Sequence, residues 1–426
     1  MTTSLILLLS ACGPHALAFQ HVGPFSGSTF FVSSDGTDTG RCILRAPCAS
    51  LAYATHLSRP GDRVLVGSGT YFGPQVINAS GKPGKPILVE ASGTVDFTRR
   101  APANDAEQRI SLLTVASGST YLIVRGFTVL GMQGRLDAEL NAAPGGPTGA
   151  EVINDTGGGP WNTDVTFDRL TVRNSTSGCI KAAGHAVVTH SIVTNCGMTG
   201  DTLAHGIYCA GGQSTIRDNT VEGTSGYGIH CYGTSSVNDI IANNDVSGAF
   251  YAGILDDQTG AIIRCNLIHD NGWGMTIAPQ SVVKDNVFYH NNVSSAAPGF
   301  GILFSGASDD TIANNTFYQD GTELQLSNGQ VTGALHIENN IFVGNGLDPA
   351  ISSSLLNGSN NVVDHNDYFH AVAPSGGQST AGMNVDPLFV HPPSDLRLLP
   401  TSPLIGAGTA TVPHSPTPDL SVGAPG

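Results

Sequence analysis

The chain has 426 residues, of which 12% are charged and 54 are glycine, and its 33 acidic and 18 basic residues give a formal net charge of −15. This charge, with no cluster of Lys and Arg, argues against nucleic acid as a partner, because binding phosphates requires grouped cations. An anionic polysaccharide is still compatible if a local cation, such as calcium, offsets the repulsion.

The N-terminus reads MTTSLILLLSACGPHALAFQ, an apolar run followed by small residues. This pattern predicts an export signal, since the run is too short to span a bilayer. Leu9-Ser10-Ala11-Cys12 also resembles a bacterial lipobox with Cys12 as the lipidated residue, although no Lys or Arg precedes the run. We therefore expect residues 1–25 to be signal and linker. The mature protein would be extracytoplasmic, either secreted or a surface lipoprotein, and would contact membrane only through a lipid anchor.

Residues 29–71 predict an N-terminal cap. The segment runs from a strand through a polar loop to a helical pattern over Ala46–Ser58, and it closes with a strand at Gly69-Thr70-Tyr71. Cys42 and Cys48 bracket a tight loop, which in an oxidising compartment favours a disulfide. The cysteines at 179, 196, 209, 231 and 265 lie among repeats, where we expect buried small hydrophobic residues with room for one bridge, and metal ligation is the weaker alternative.

Residues 72–400 consist of irregular repeats. Short polar-then-apolar segments recur at steps of 20 to 29 residues after a first, longer step, and their anchors are Gly126, Arg169, Ser191, Asn219, Asn244, Asn266, Asn286, Asn315, Asn340 and Asn366. Such repeats cannot bury their own apolar faces, so they predict a solenoid in which stacked coils share one core. The recurring Asn suits a turn, because its amide can bond to the coils above and below and it tolerates left-handed backbone.

The opening FVSSDGTDTG…RPGDRVLVGSGTY, the Asn-led repeats and the ending DPLF…DLRLLPTSPLIGAG together resemble bacterial parallel β-helix proteins of the pectate-lyase-like superfamily. The resemblance implies an all-β, right-handed parallel β-helix over 26–408 with a short N-terminal capping helix, a terminating coil, and substrate bound along one face. It implies no single activity, since the superfamily includes lyases, hydrolases, epimerases and non-catalytic proteins. The Pro-rich tail 409–426 is too poor in apolar residues to pack.

A second strand follows most anchors, and these strands align on Ile180, Ile207, Ile229, Ile254, Met275 and Ile302. If these residues point inward, the next residue in each strand points outward. Lys181, Tyr208 and His230 then occupy consecutive coils, with Tyr232 and Asp257 beside them. Titratable groups so placed suit proton transfer, although a plain solvated surface would carry similar residues.

Further candidates lie near this column. His205, Tyr227, Trp273 and Phe300 precede the shared glycine. We interpret the three aromatic residues mainly as an internal stack, and the alternative is that the column forms a sugar-stacking platform, with Trp273 as a substrate-binding candidate. His205 interrupts the apolar series and is a catalytic candidate. Arg217 is a cation for substrate binding. Acidic residues that could bind calcium are Asp201, Asp239, Asp256, Asp257, Asp309 and Asp310.

These residues favour a polysaccharide lyase that cleaves a uronate-containing polymer by β-elimination. Lys181 or His230 is the candidate base, with Lys284 as an alternative, and Tyr208 is the candidate acid. Asp256 and Asp257 are the candidate calcium ligands. Open alternatives are a glycoside hydrolase, which needs two facing carboxylates, a uronate epimerase, and a non-catalytic carbohydrate-binding β-helix. The chain is expected to be a monomer.

Overall fold

The computed structural model describes residues 25, 27–99, 111–131, 153–154, 163–197, 202–233, 238–292, 299–327, 330–358, 360–375 and 379–409. The predicted signal with Cys12, Asp201 and all but the first residue of the tail 409–426 lie outside these ranges. The chain divides into two compact units, with the boundary between Ser236 and Val237. In the described ranges no helix is long and apolar enough to cross a membrane.

In its described ranges the first unit has one short helix, and its other elements are strands. The helix α1 is Leu51–Leu57. The strands are β1 Thr29–Val32, β2 Arg63–Phe72, β3 Gln75–Ile77, β4 Ile87–Thr98, β5 Leu113–Val115, β6 Thr120–Arg125, β7 Thr128–Leu130, β8 Ile153–Asn154, β9 Thr163–Asp168, β10 Thr171–Ser175, β11 Ile180–Ala182, β12 Val187–Thr189, β13 Ile192–Cys196, β14 Ile207–Ala210, β15 Thr215–Arg217, β16 Thr220–Thr224 and β17 Ile229–Tyr232.

The second unit has the same character, with one short 3-10 helix at Leu355–Asn357. Its strands are β18 Ile240–Ala242, β19 Asp245–Ala249, β20 Ala252–Asp256, β21 Ile262–Arg264, β22 Leu267–His269, β23 Trp273–Ile277, β24 Val282–Lys284, β25 Val287–Tyr289, β26 Phe300–Phe304, β27 Asp310–Ala313, β28 Thr316–Tyr318, β29 Thr322–Leu326, β30 Leu335–Glu338, β31 Ile341–Val343, β32 Val362–Asp364, β33 Asp367–Phe369, β34 Phe389–His391 and β35 Asp395–Leu398.

Strands of successive coils pair in parallel on three faces within each unit. In the first unit, face A contains β3, β5, β8, β11, β14 and β17, face B runs from β1 through β2 and β4 to β15, and face C links β4 to β7, β10, β13 and β16. In the second unit, face A contains β20, β23, β26 and β29. The predicted all-β parallel β-helix is confirmed.

Apolar side chains stack inside the coils. All six residues of the predicted inward column, from Ile180 to Ile302, are at most 1% exposed. In the second unit Phe288, Phe317, Phe342 and Tyr368 form a continuous stack with ring centroids 4.7 to 5.5 Å apart. Like residues therefore repeat at the spacing of adjacent strands, and each coil covers the apolar surface of the next.

The predicted Asn pairing is confirmed as a ladder in the second unit. The backbone N and the Nδ2 of each ladder Asn donate to the Oδ1 of the Asn one coil further on, at 2.9 to 3.0 Å, through Asn244, Asn266, Asn286, Asn315, Asn340 and Asn366. The left-handed backbone is not carried by these asparagines. It belongs to the residue before each of them, such as Asp285 at φ 58° and Asn314 at φ 56°.

The N-terminal helix is present but shorter than the pattern over Ala46–Ser58 predicts. It begins after Ser50, whose Oγ accepts a hydrogen bond from the backbone N of Tyr53 at 3.2 Å. The residues before Ser50 belong instead to the loop that the Cys42–Cys48 disulfide closes, which confirms that pairing. Near the C-terminus, where a terminating coil was expected, β34 and β35 form an antiparallel pair.

Candidate functional site

Lys181, Tyr208 and His230 lie side by side on face A of the first unit. The register pairs Lys181 with Tyr208 between β11 and β14, and Tyr208 with His230 between β14 and β17. Their neighbours Ile180, Ile207 and Ile229 are buried in the core, whereas these three side chains are partly exposed. The alternation expected from sequence therefore places an amine, a phenol and an imidazole on adjacent strands.

A fourth side chain completes the cluster. His205, in the turn before β14, is 6% exposed, and its Nε2 lies 3.2 Å from Nδ1 of His230. The ring of His205 also stacks on Tyr208, with centroids 5.5 Å apart. Burial, together with the nearby His230, lowers the pKa of His205 to about 3, so this ring is neutral at ordinary pH.

Aromatic rings surround the two histidines. Tyr208 and Tyr227 each lie 5.2 Å from His230, and the 47% exposed Tyr232 lies 5.9 Å from it, between ring centroids. Nζ of Lys181 is 5.6 Å from the centroid of Tyr208. We call Lys181, His205, Tyr208, Tyr227, His230 and Tyr232 the His–Tyr cluster. It offers proton donors and acceptors beside flat aromatic surfaces, which suits a sugar ring.

A disulfide lies directly beneath the cluster. Cys209 and Cys231 occupy a registered pair next to Tyr208 and His230, and their buried side chains are bonded to each other. A second bridge joins Cys179 to Cys196. These cysteines are buried as expected, and two bridges join them where room for one was expected, since both pairs stack closely enough to oxidise. The Cys209–Cys231 bond links the two strands that carry the phenol and the imidazole.

The predicted internal stack before the shared glycine is also wrong. Tyr227, Trp273 and Phe300 are partly exposed, and the buried member of the series is His205. The glycines explain this reversal: a Cβ on Gly274 would lie 2.8 Å from Phe288, and one on Gly301 would lie 2.6 Å from Phe317. Because the interior space is filled by the phenylalanine stack, the glycine faces inward and the preceding aromatic residue faces outward.

Arg217 and Trp273, two residues predicted to bind substrate, are not on the strands that carry the cluster. Arg217 is on β15 of face B, where it forms an ion pair with Asp218. Trp273 begins β23 in the second unit, and its Nε1 donates to Oγ1 of Thr276 at 2.9 Å. Lys284, the alternative base, is on β24, with Nζ 3.9 Å from a carboxylate oxygen of Asp285.

The candidate calcium ligands Asp256 and Asp257 point in opposite directions. Asp256 is fully buried at the end of β20, where its Oδ1 accepts from the backbone N of Gln258 at 2.8 Å, while Asp257 is exposed. Burial and the nearby carboxylates of Asp239 and Asp257 raise the pKa of Asp256 well above its usual value. Asp310 is likewise buried and accepts from the backbone N of Ser281. Asp256 and Asp257 therefore do not converge on one ion, whereas carboxylate oxygens of Asp256 and Asp239 lie within 4.8 Å of each other.

One ionic group went unrecognised in the sequence. In the second unit, His269 lies between two carboxylates, with Nε2 3.0 Å from Asp245 and Nδ1 2.8 Å from Asp270, and its ring stacks on Tyr289. Burial opposes protonation, but the hydrogen bonds to both aspartates raise the pKa of His269. The signal was available in "CNLIHD" and "DNVFYH", where His269 and Tyr289 occupy the same position of successive repeats.

The chain has recognisable relatives. Residues 152–334, under half of the chain, match the family described as periplasmic copper-binding protein (NosD). The uncharacterized protein YwoF of Bacillus subtilis (strain 168) is 24% identical over 395 residues, which cover 80% of each chain.

Among solved structures, pectate lyase Pel9A is similar with a TM-score of 0.54 and 17% identity, over 94% of this chain and 97% of that one. A GH136 lacto-N-biosidase from Eubacterium ramulus has a TM-score of 0.54 and 14% identity, over 84% and 68% of the two chains. An alginate lyase from Paenibacillus sp. has a TM-score of 0.52 and 17% identity, over 71% and 99%. At these identities the likeness establishes the fold, the parallel β-helix that the sequence resemblance implies.

Proposed function

We propose that the protein is an extracytoplasmic, polysaccharide-active β-helix protein, a lyase that cleaves a uronate-containing polymer by β-elimination. The observation that carries the proposal is the His–Tyr cluster, in which Lys181, Tyr208 and His230 occupy registered positions on adjacent strands. Structures similar in fold include a pectate lyase and an alginate lyase. A proton-transfer cluster on this scaffold therefore favours the same class of substrate.

β-Elimination needs a base and an acid. The base takes the C5 proton of the uronate, the C5–H electron pair becomes the C4–C5 double bond, the C4–O bond breaks, and the acid protonates the departing oxygen. Lys181 or His230 is the candidate base, and the Tyr208 hydroxyl is the candidate acid. The aromatic faces of Tyr227 and Tyr232 would support the sugar ring, and His205 would orient its neighbours.

The substrate carboxylate also needs a positive partner, because its charge opposes removal of the adjacent proton. Calcium is proposed for this role. Asp256 and Asp257 do not fit as joint ligands, since one is buried in the core and the other is exposed. Calcium dependence is therefore a property to measure with the substrate present, because substrate oxygens can also serve as ligands.

Copper, which the matching family's description mentions, does not suit the cluster. Cys209 and Cys231 beneath it are joined in a disulfide, and the facing nitrogens of His205 and His230 hydrogen-bond to each other. Neither the bonded sulfur atoms nor the two facing nitrogens are therefore arranged to bind a copper ion. The proposed reaction contains no copper step.

Export and anchoring are part of the proposal. The disulfides Cys42–Cys48, Cys179–Cys196 and Cys209–Cys231 suit an oxidising compartment, and the matching family is described as periplasmic. Cys12 would carry a lipid if the lipobox resemblance is functional, and metabolic labelling with a fatty-acid analogue would show it. Cys12→Ser should then abolish the labelling.

The test is incubation of the purified protein with pectate, alginate and other uronate polymers, with calcium or with a chelator. We expect the ultraviolet absorbance of unsaturated chain ends to rise with at least one polymer. New reducing ends without that absorbance would indicate a hydrolase, and a change of uronate stereochemistry without cleavage would indicate an epimerase. Binding with none of these changes would leave a carbohydrate-binding protein and contradict the proposal.

A further inference from the structure

The two ring nitrogens of His205 have different partners. The backbone N–H of Tyr227 points at Nδ1, 3.4 Å away, and Nε2 faces Nδ1 of His230 at 3.2 Å. A backbone N–H can only donate, so Nδ1 of His205 must carry a lone pair. A neutral imidazole has one donor and one acceptor nitrogen. Nε2 of His205 therefore carries the proton and donates a hydrogen bond to Nδ1 of His230.

The surroundings hold this arrangement in place. The backbone N of Gly226 donates to the carbonyl of Ala204 at 2.9 Å, which joins the turn before His205 to the turn before Tyr227. A Cβ on Gly226 would lie 2.6 Å from that carbonyl and 3.1 Å from Nδ1 of His205. Glycine is thus required where the two turns meet. The buried imidazole has little freedom to rotate and exchange its two nitrogens.

The hydrogen bond from His205 determines the tautomer of His230. Its Nδ1 accepts the hydrogen bond from His205, so the proton of a neutral His230 is on Nε2. We propose that His205 is a positioning residue that fixes His230 in the Nε2–H tautomer, which makes His230 a hydrogen-bond donor to substrate rather than the base. This inference rests on the proposed lyase function and assigns the roles that it left open.

In this assignment Lys181 takes the C5 proton, Tyr208 protonates the departing oxygen, and His230 donates to the uronate carboxylate as charge develops there. A donor aimed at developing charge stabilises the transition state more than the bound substrate. Lys181, His205, Tyr208, Tyr227 and Tyr232 are the titratable side chains of the cluster that surround His230.

The tautomer can be measured without substrate. In long-range proton–nitrogen spectra of ¹⁵N-histidine-labelled protein, we expect His205 and His230 each to show an unprotonated Nδ1 and a protonated Nε2 at pH 7. Signals among the 14 histidines are assigned from His205→Gln and His230→Gln, with the exposed helical His56→Gln as a control. A protonated Nδ1 on neutral His230 would overturn the inference, whatever the enzyme assays show.

A matched pair of variants then tests the consequence. His205→Leu removes the donor, and His205→Gln retains an N–H at a similar reach. We expect His205→Leu to give a mixture of His230 tautomers and a kcat at least tenfold lower, with little change in KM. His205→Gln should restore the single His230 tautomer and most of the kcat. Unchanged His230 nitrogen shifts in a folded His205→Leu protein would also overturn the inference. If no polymer is cleaved but the tautomers are as expected, the proposed function fails and the positioning role stands.

Discussion

The same strand position holds titratable side chains in one unit and non-titratable ones in the other. On face A of the first unit, the outward column is Lys181, Tyr208 and His230. On face A of the second unit, the registered column is Leu255, Thr276, Leu303 and Gln325. There Leu255 is 8% exposed, and the hydroxyl of Thr276 accepts from the Trp273 indole.

This difference shows that the solenoid requires an apolar residue at the inward strand position but accepts different residue types at the outward position. Both columns flank buried residues of the same kind, from Ile180 to Ile302, so the outward position is not needed to hold the coils together. Titratable side chains at that position in the first unit are therefore not explained by the architecture. The contrast predicts that substitutions in the two columns, and in the scaffold beneath them, have distinct effects.

The largest effect is expected at the base. Lys181→Gln should lower kcat on the cleaved polymer by roughly 10²- to 10⁴-fold, because general acid–base catalysis contributes about that much. Its matched control is Thr276→Val, in the same strand position of the second unit, which should keep kcat within about twofold. The measurement is the initial rate of unsaturated-product formation. Comparable losses in both variants would mean that the two columns do not differ in function.

The next effect concerns the scaffold. Asn286→Ala should lower the free energy of unfolding by about 2–4 kcal/mol, because it leaves the buried backbone N and Nδ2 of Asn266 without their acceptor and the carbonyl of Ile263 without a donor. Denaturant titration gives the loss. The folded variant should retain its kcat, since Asn286 is not part of the His–Tyr cluster. A stable protein with lost activity would contradict the division between scaffold and site.

The sequence predicted the column and the ladder because both follow from periodicity. Alternation along a strand, aligned on Ile207 and Ile229, is enough to pair Tyr208 with His230. The contact between His205 and His230 could not be predicted in this way, because His205 lies in a turn whose path depends on packing at Gly226. The internal aromatic stack was assigned to the wrong residues for a related reason, since periodicity alone does not show whether a glycine or the aromatic residue before it faces the core.

A smaller effect is expected from a buried acid of the scaffold. Burial raises the pKa of Asp320 to about 7, and its Oδ1 accepts from the backbone N and the Nδ2 of Asn291 at 2.7 and 2.9 Å. An acid with a raised pKa holds its proton more tightly when folded, so stability falls as pH rises from about 4 to 7 and stays low above that. Asp320→Asn keeps the acceptor and removes the ionisable group.

Asp320→Asn should therefore be more stable than the parent above pH 7 by about 2–4 kcal/mol, and the two proteins should differ less near pH 4. Thermal unfolding at both pH values measures this, and the exposed Asp257→Asn serves as the control. A stability gain of equal size at pH 4 and pH 8 would show that Asp320 does not titrate in this range.

The smallest effect is expected at Arg217. Because this side chain lies on face B and pairs with Asp218, Arg217→Ala should change KM by less than about twofold. Tyr232→Ala, within the His–Tyr cluster, should raise KM more, since it removes an exposed ring beside His230. Steady-state kinetics of both variants on one polymer measure the two changes in KM. A larger change in KM from Arg217→Ala would extend the substrate-binding surface to face B.

The most direct test of the central claim follows unsaturated chain ends by ultraviolet absorbance in parallel reactions of the parent protein and Tyr208→Phe. If the His–Tyr cluster carries out β-elimination, the parent should produce unsaturated ends from a uronate polymer. Tyr208→Phe should lose at least about 100-fold in rate while its unfolding temperature is nearly unchanged. Equal rates in the two proteins would contradict the account, and so would a parent that leaves every uronate polymer intact.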